Sequence, residues 1–541
     1  VSVTLNKGPG MPPDDRPQIL QNGKSFGESE GAWGSRIDTF ESILLSPSMP
    51  SRTHVVWYKR DLRVGDHRPL AEAADRGPVL PLYVAEPSIA AGDDYHPNHW
   101  TLIREALIEL RARLAKRGQP LVVRCGEMPD VLETLRAAVG PLHLWAHEET
   151  GNRRTLERDQ RVHDWADEQG APYTEIPSRG VVRGPHDRDE WADQWETYMD
   201  QPLVHPPESL EPVEDIEPGP MPSHADLGLR PSTAALQRIG EAEAHRTLDS
   251  FLRERGRTYR RAMSRPAPAQ TECSRISVHL AYGTISLRRV VYELRRRQEE
   301  LQGKSGPDVA ARRKSLSSFD SRLHWHSHFT QKLEDAPRIE KESYIPAFDQ
   351  LRADDWDPAL YDAWLHGRTG FPMVDACMRC LRTTGWLNFR MRAMLCSFAA
   401  YDCWLDWRRF APTYGGLMAD YVPGIHYPQV QMQSGTTGIN RVRIYNPIKQ
   451  GREQDPDGTF IRRWVPELAS LETTAYVHAP WKMSPIEQQA AGCVVGKDYP
   501  ERVVDHNDAY HHAQDAIHEL RQRPEIQAQA DTVLEQHGSR A

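Results

Sequence analysis

No stretch of this sequence approaches the roughly 18 consecutive apolar residues that a membrane-spanning helix needs, so no membrane partner is expected. Cysteine is scarce: seven in 541 residues. An odd number at low density argues against a disulfide-stapled secreted scaffold. No charged segment followed by an apolar one opens the chain, so no signal peptide is read and a reduced, cytoplasmic protein is expected. A net charge of -9 excludes a surface that attracts nucleic acid everywhere, although a local basic patch remains open. P-loops, a G-x-G-x-x-G after the first strand, H-E-x-x-H and internal repeats are all missing. Tryptophan, by contrast, is plentiful, with 15 residues.

The length implies two or three domains. Residues 1–50 are rich in Gly, Pro, Ser and Asp and read as a disordered extension, the fold starting near Met49. Residues 51–177 alternate strand and helix. His54–Tyr58, Val79–Val84, Leu121–Cys125 and Leu142–His147 read as buried strands, with helices over Trp100–Arg117, Pro129–Ala138 and Thr155–Gln169. That repetition predicts a doubly wound parallel sheet whose ligands bind beyond the carboxyl ends of the strands. Residues 178–245 are a Pro-rich connector. Residues 246–490 carry helical periodicity, strongest over Trp386–Trp407, and predict an all-α domain. Residues 491–541 read as a polar helical tail, and a monomer is expected.

Charge reverses locally. Residues 251–322 hold 17 Lys and Arg against 7 Asp and Glu. This points to a phosphate-binding face, for a nucleotide cofactor or DNA, or to a set of solvated helix faces. Cys273-Ser274-Arg275-Ile276-Ser277 precedes an apolar helix, as an anion cradle or as simple N-capping. Trp404 and Trp407, three apart, share a helix face as core packing or as an electron path. Cys377, Cys380, Cys396 and Cys403 lie in apolar helical text and read as buried thiols rather than as a zinc or iron–sulfur set. His324 and His328 are spaced as a metal pair without the partner Glu, so no metal is expected.

Taken together these residues resemble the photolyase/cryptochrome flavoproteins over about 52–480. Val55-Val56-Trp57-Tyr58-Lys59-Arg60-Asp61-Leu62-Arg63 is similar to the family's V-W-F-R-x-D-L-R. Cys273–Ser277 is similar to its T-S-x-L-S clasp. Thr369-Gly370-Phe371-Pro372-Met373-Val374-Asp375-Ala376, followed by Thr384-Gly385-Trp386, resembles its T-G-Y-P-x-V-D-A…T-G-W. Arg443-Ile444-Tyr445-Asn446-Pro447 and Gln450, then Asp455-Pro456-Asp457-Gly458 and Arg462–Leu468, resemble its C-terminal signature.

The resemblance implies an antenna domain and a helical domain holding a U-shaped FAD. Tyr259, Ser274, Arg275, Ile276, Ser277, Arg322, Arg392 and Asp420 match its FAD positions. The clasp hydroxyls and Arg322 would hold the pyrophosphate, and Arg392 and Asp420 would face each other near the flavin ring. It implies light-driven electron transfer from excited, reduced flavin to a flipped-out pyrimidine dimer in UV-damaged DNA. Cyclobutane dimers need no acid or base; a (6-4) lesion needs a proton donor, typically His. Trp407 and Trp356 match the middle and distal electron-chain positions. A folate, deazaflavin or lumazine antenna, or an empty cleft, is expected beside His147–Asn152.

The chain also departs from the family. Aligned without a gap between the acidic FAD residue and the Arg443–Pro447 signature, the flavin-facing Asn becomes Gly424, the proximal electron-chain Trp becomes Pro428 and a dimer-contacting Trp becomes Val430. Tyr427, Trp404 or Trp386 would then have to start photoreduction. Ser321-Arg322-Leu323-His324-Trp325 loses a second dimer-contacting Trp. Trp325, Phe389, His324, His328 or His426 would contact the lesion, with Arg390 and Gln450 at DNA-contact positions. These histidines are the candidate proton donors, His324 and His426 foremost. Repair of pyrimidine dimers and blue-light sensing without repair are both open.

Overall fold

The computed structural model describes residues 52–184 and 186–538; the extension expected over 1–50 lies outside them. Five strands, β1 (Thr53–Tyr58), β2 (Val79–Ala85), β3 (Val122–Cys125), β4 (Leu142–His147) and β5 (Tyr173–Ile176), form one parallel sheet in the order β3-β2-β1-β4-β5. β1 and β2 are buried along their whole length. That is why both read as unbroken apolar runs: helices cover both faces of a parallel sheet. β5 is unmarked in the sequence because it is a short edge strand, half-buried throughout. The helices Pro97–Ala115, Met128–Val139 and Arg153–Gln169 follow the expected ones within a few residues.

The connector does not hang free. Val123 N–H donates to the Pro218 carbonyl at 2.8 Å and Val79 N–H to that of Glu211 at 3.0 Å. The Pro-rich stretch therefore occupies part of the β3 edge, which would otherwise present unpaired backbone groups.

The second half is helical. Its core is centred on the helices Pro372–Thr384, Phe389–Ser397, Trp407–Gly416 and Pro423–Ser434. The stretch expected as one helix over Trp386–Trp407 is broken. Phe389–Ser397 runs into a π-type turn at Phe398–Asp402, and Trp404 adopts a left-handed backbone with φ 51°. Asp406 then caps a new helix through the Arg408 N–H. Trp404 and Trp407 consequently share no helix face.

The Pro423–Ser434 helix lies tight against the long helix Pro307–Asp335. A Cβ placed on Gly424 would stand 2.7 Å from Thr330 Cα. The expected polar tail folds back: His506–Arg521 and Pro524–His537 bury Ile517, Leu520, Ile526 and Val533 against Leu333, Phe348 and Tyr401. Among the described residues no helix is long and apolar enough to cross a membrane.

Candidate functional site

Arg392 projects from Phe389–Ser397 and meets Asp420, which lies in the loop before Pro423–Ser434. Two hydrogen bonds join them, Nη1 to Oδ1 at 2.9 Å and Nη2 to Oδ2 at 3.0 Å. Burial alone would raise the Asp420 carboxyl. The Arg392 charge, hydrogen bonds from Arg392 and Ser277, and the Arg275 charge outweigh it and hold the group below its ordinary value. Asp420 thus ties the clasp to Arg392.

Beside the pair opens a cavity of about 500 Å³, walled by Tyr414, Met418, Tyr421, Val422, Ile425, His426 and Val430, with Phe389 at its edge. One polar end and apolar walls suit a flat ring system with a polar edge.

The clasp is less regular than simple capping. Ser277 opens a helix of five residues, Ser277–Ala281, and no side chain caps it. An anion cradle here would rest on hydroxyls and a guanidinium, not on a helix dipole. Arg275 holds a left-handed backbone, φ 60°, and its guanidinium lies 3.9 Å over the Trp386 ring. Burial lowers its pKa to about 10. Ile276 and Tyr259 are buried in one apolar cluster. Ring edges pack Tyr259 against Phe251 at 5.4 Å. Arg322 is close enough to act on the Tyr259 phenol and sits 4.4 Å over the Trp325 ring. Many arginines of the basic window are spent on ion pairs, such as Arg295 with Glu196 and Asp200, and Arg297 with Glu300. Arg260 and Arg261 are exposed, with no carboxylate within ion-pair distance among the described residues.

The register of Pro423–Ser434 changes one expectation. Gly424 faces Thr330 rather than the cavity, and Pro428 does not line it. His426 and Val430 do. Of the substituted positions, Gly424 and Pro428 therefore stand outside this cavity and Val430 on its wall. His426 Nε2–H donates to the Ala411 carbonyl at 2.8 Å, and burial lowers its pKa to about 4. It is neutral at pH 7.

His324 does not join the cavity. Its nitrogens face the Asp320 carbonyl and Glu196, and its ring packs 3.9 Å from Trp195. His328 packs against Trp191 instead. Trp325 and Phe389 are 46% and 54% exposed, unusual for rings of this size. Arg390 keeps a buried Nε without a partner; Gln450 is buried, with Oε1 unpaired.

Trp407 is buried, with its indole N–H on Ser343 Oγ at 3.1 Å. Ring contacts lead from half-buried Trp356 through Tyr361 (4.9 Å), Trp364 (6.2 Å) and Tyr414 (5.4 Å) to the cavity wall. The four thiols do not converge: Cys377 contacts Met373 Sδ, Cys380 the Trp386 carbonyl and Cys396 that of Val430.

At the carboxyl edge of the sheet lie two further cavities of about 1060 and 850 Å³, sharing Lys59, Arg60 and Glu149. Asp61 Oδ2 accepts from His147 Nδ1 at 2.7 Å and from His67 Nε2 at 2.9 Å. These three could in principle hold a metal. His67 Nδ1, however, accepts the Leu70 N–H, which keeps the proton on Nε2 and the imidazole committed to Asp61.

Residues 54–189 match the DNA photolyase family, and residues 319–519 match the FAD binding domain of DNA photolyase. A cryptochrome DASH of Natronomonas pharaonis is 31% identical over 85% of this chain and 99% of its own. A deoxyribodipyrimidine photo-lyase of Streptomyces griseus is 30% identical over 83% of this chain and 96% of its own. The crystal structure of a bacterial class III photolyase from Agrobacterium tumefaciens superposes with a TM-score of 0.75 at 25% identity, covering 89% of this chain and all of that one. With a parallel-sheet half, a helical half and an Arg–Asp pair beside an apolar cavity, matched along nearly the full length of these relatives, the chain belongs to the photolyase/cryptochrome family.

Proposed function

We propose that this protein repairs pyrimidine dimers in UV-damaged DNA by light-driven electron transfer, with FAD in the cavity beside Arg392 and Asp420. The carrying observation is that pair, bound to the Ser277 clasp on one side and open to an apolar cavity on the other. Arg392 and Asp420 would grip the polar edge of the ring; Ser274, Arg275, Ser277 and Arg322 would hold the pyrophosphate. Bound FAD supplies absorption of blue light and one-electron chemistry. The protein binds and orients it, excludes water with Tyr414, Met418 and Val422, and offers Trp325 and Phe389 as stacking surfaces for extruded bases.

Cyclobutane dimers are the favoured substrate. Their cleavage needs no proton donor. Of the candidate donors, His426 is neutral at pH 7 with its one N–H held by Ala411, His324 is committed to the Trp191–Asp200 helix, and His328 packs on the Trp191 ring. The cavities at the sheet edge suit a second, light-gathering chromophore.

Val430, in place of a ring, favours a second reading as a blue-light sensor. One experiment separates the two: purified, flavin-reduced protein is given cyclobutane or (6-4) lesion DNA under blue light. Restored cyclobutane sites support repair. No restoration of either lesion, with the flavin still photoreducible, selects the sensor.

A further inference from the structure

One side chain divides two cavities. Tyr421 lines the apolar cavity beside Asp420, and it also lines the cavity of about 850 Å³ at the sheet edge. Its hydroxyl donates to Asp94 Oδ2 at 2.6 Å, and the same oxygen accepts from Asn152 Nδ2 at 2.7 Å. Asp94 comes from the loop between β2 and Pro97–Ala115, so this bond crosses from the helical half to the α/β half.

Two neutral imidazoles pack against the ring of Tyr421. It stacks on His99 at 5.9 Å with planes 5° apart, and meets His426 edge-on at 5.4 Å. Burial lowers these imidazoles to about 3 and about 4, so neither puts a positive charge against the ring. Arg60, the cation on this residue, holds the backbone carbonyl.

Oxidising a phenol without removing its proton is costly, because the radical cation is a very strong acid. It becomes easy when a base within hydrogen-bond reach takes the proton as the electron leaves. The alternatives lack that arrangement. Tyr414 lines the cavity, but its hydroxyl donates to the Arg392 carbonyl, which cannot accept a proton. Tyr427 does not line the cavity, and its hydroxyl reaches Asp94 only through that of Tyr421. Trp386 lies under the Arg275 guanidinium, which opposes its oxidation, and Trp404 is bonded to Asp355 near the surface.

We propose that Tyr421 is a proton-coupled electron donor to the flavin cavity, with Asp94 as its base. The proposal rests on the flavin-binding reading. One electron leaves the Tyr421 ring for the cavity's occupant and the phenolic proton passes to Asp94 Oδ2. A neutral tyrosyl radical and a protonated carboxyl remain. A small thiol from solution returns a hydrogen atom to the tyrosyl oxygen and becomes a thiyl radical, and Asp94 releases its proton to water.

The test uses the full, flavin-loaded, oxidised protein under blue light with a small thiol. Electron paramagnetic resonance after a flash identifies the radical, and photoreduction is compared in light and heavy water. The expected radical is a neutral tyrosyl, absent from Tyr421→Phe, with a slower reaction in heavy water. Asp94→Asn keeps the phenol, loses the isotope effect and slows photoreduction by on the order of a hundredfold. Flavin content, read from visible absorption, checks the integrity of each variant; should Tyr421→Phe lose its flavin, the wild-type radical and Asp94→Asn decide. A loaded wild type that yields a tryptophanyl radical, or photoreduces at the same rate in both solvents, overturns this proposal alone. A wild type that takes up no flavin overturns the binding reading and this proposal with it.

Discussion

Arg392 and Asp420 sit 28 residues apart in the chain and close on each other through two parallel N–H···O bonds. The carboxylate is almost wholly buried and the guanidinium largely so. Removing one partner leaves the other charge uncompensated. Arg392→Met is expected to lower stability by about 3–5 kcal/mol and to abolish flavin retention. Denaturant titration and the visible spectrum of the purified variant check the two effects. Unchanged retention would place the ring elsewhere.

His426 makes a second prediction. Its folded pKa, about 4, lies below the ordinary 6.5. Folding therefore favours the neutral form. That contribution is complete above 6.5 and is lost as pH falls toward 4. The stability advantage of wild type over His426→Gln should shrink on acidification across that window, at up to about 1.4 kcal/mol per pH unit. Urea midpoints of both proteins across the window measure it; a constant difference would mean that His426 is not buried as described.

Gly424 permits a close helix crossing. Gly424→Asn, which installs the residue typical of the family at the gapless position, is expected to push Pro423–Ser434 off Thr330. The cost is about 1–3 kcal/mol, seen as a lower Tm. A neutral outcome would mean that the two helices are further apart.

Trp325 and Phe389 carry the fourth prediction. Both are exposed, so truncation to Ala should change stability by no more than about 0.5 kcal/mol. Affinity for lesion-bearing DNA should fall by about 1–3 kcal/mol for each. Binding titrations with damaged and undamaged duplexes distinguish loss of base stacking from loss of general affinity.

Strands β1 to β4 are legible in the sequence because buried parallel strands are written as dense Val, Leu and Trp runs; three longer helices of this half are legible too, but the short one over Arg68–Ala74 that joins β1 to β2 is not. β5 is not, since an edge strand needs only half an apolar face. The Arg392–Asp420 pair is legible through the resemblance alone; no spacing rule joins residues on different elements. Gly424 shows the limit. A helix reports its own phase, but not which of its faces meets a cavity and which a neighbouring helix. Packing against Thr330 turns Gly424 away from the cavity and leaves His426 and Val430 on its wall. Tyr421 escapes notice for another reason: its partner Asp94 lies in the other half of the molecule, and only folding brings them together.

The bond from Val123 to Pro218 has a practical consequence for anyone dissecting the molecule. Cutting the chain after β5 would strip β3 of its cover and leave a raw ribbon margin, ready to recruit neighbouring copies. A soluble fragment of the first half should instead be carried through residue 220 or beyond, so that it brings its own selvedge with it.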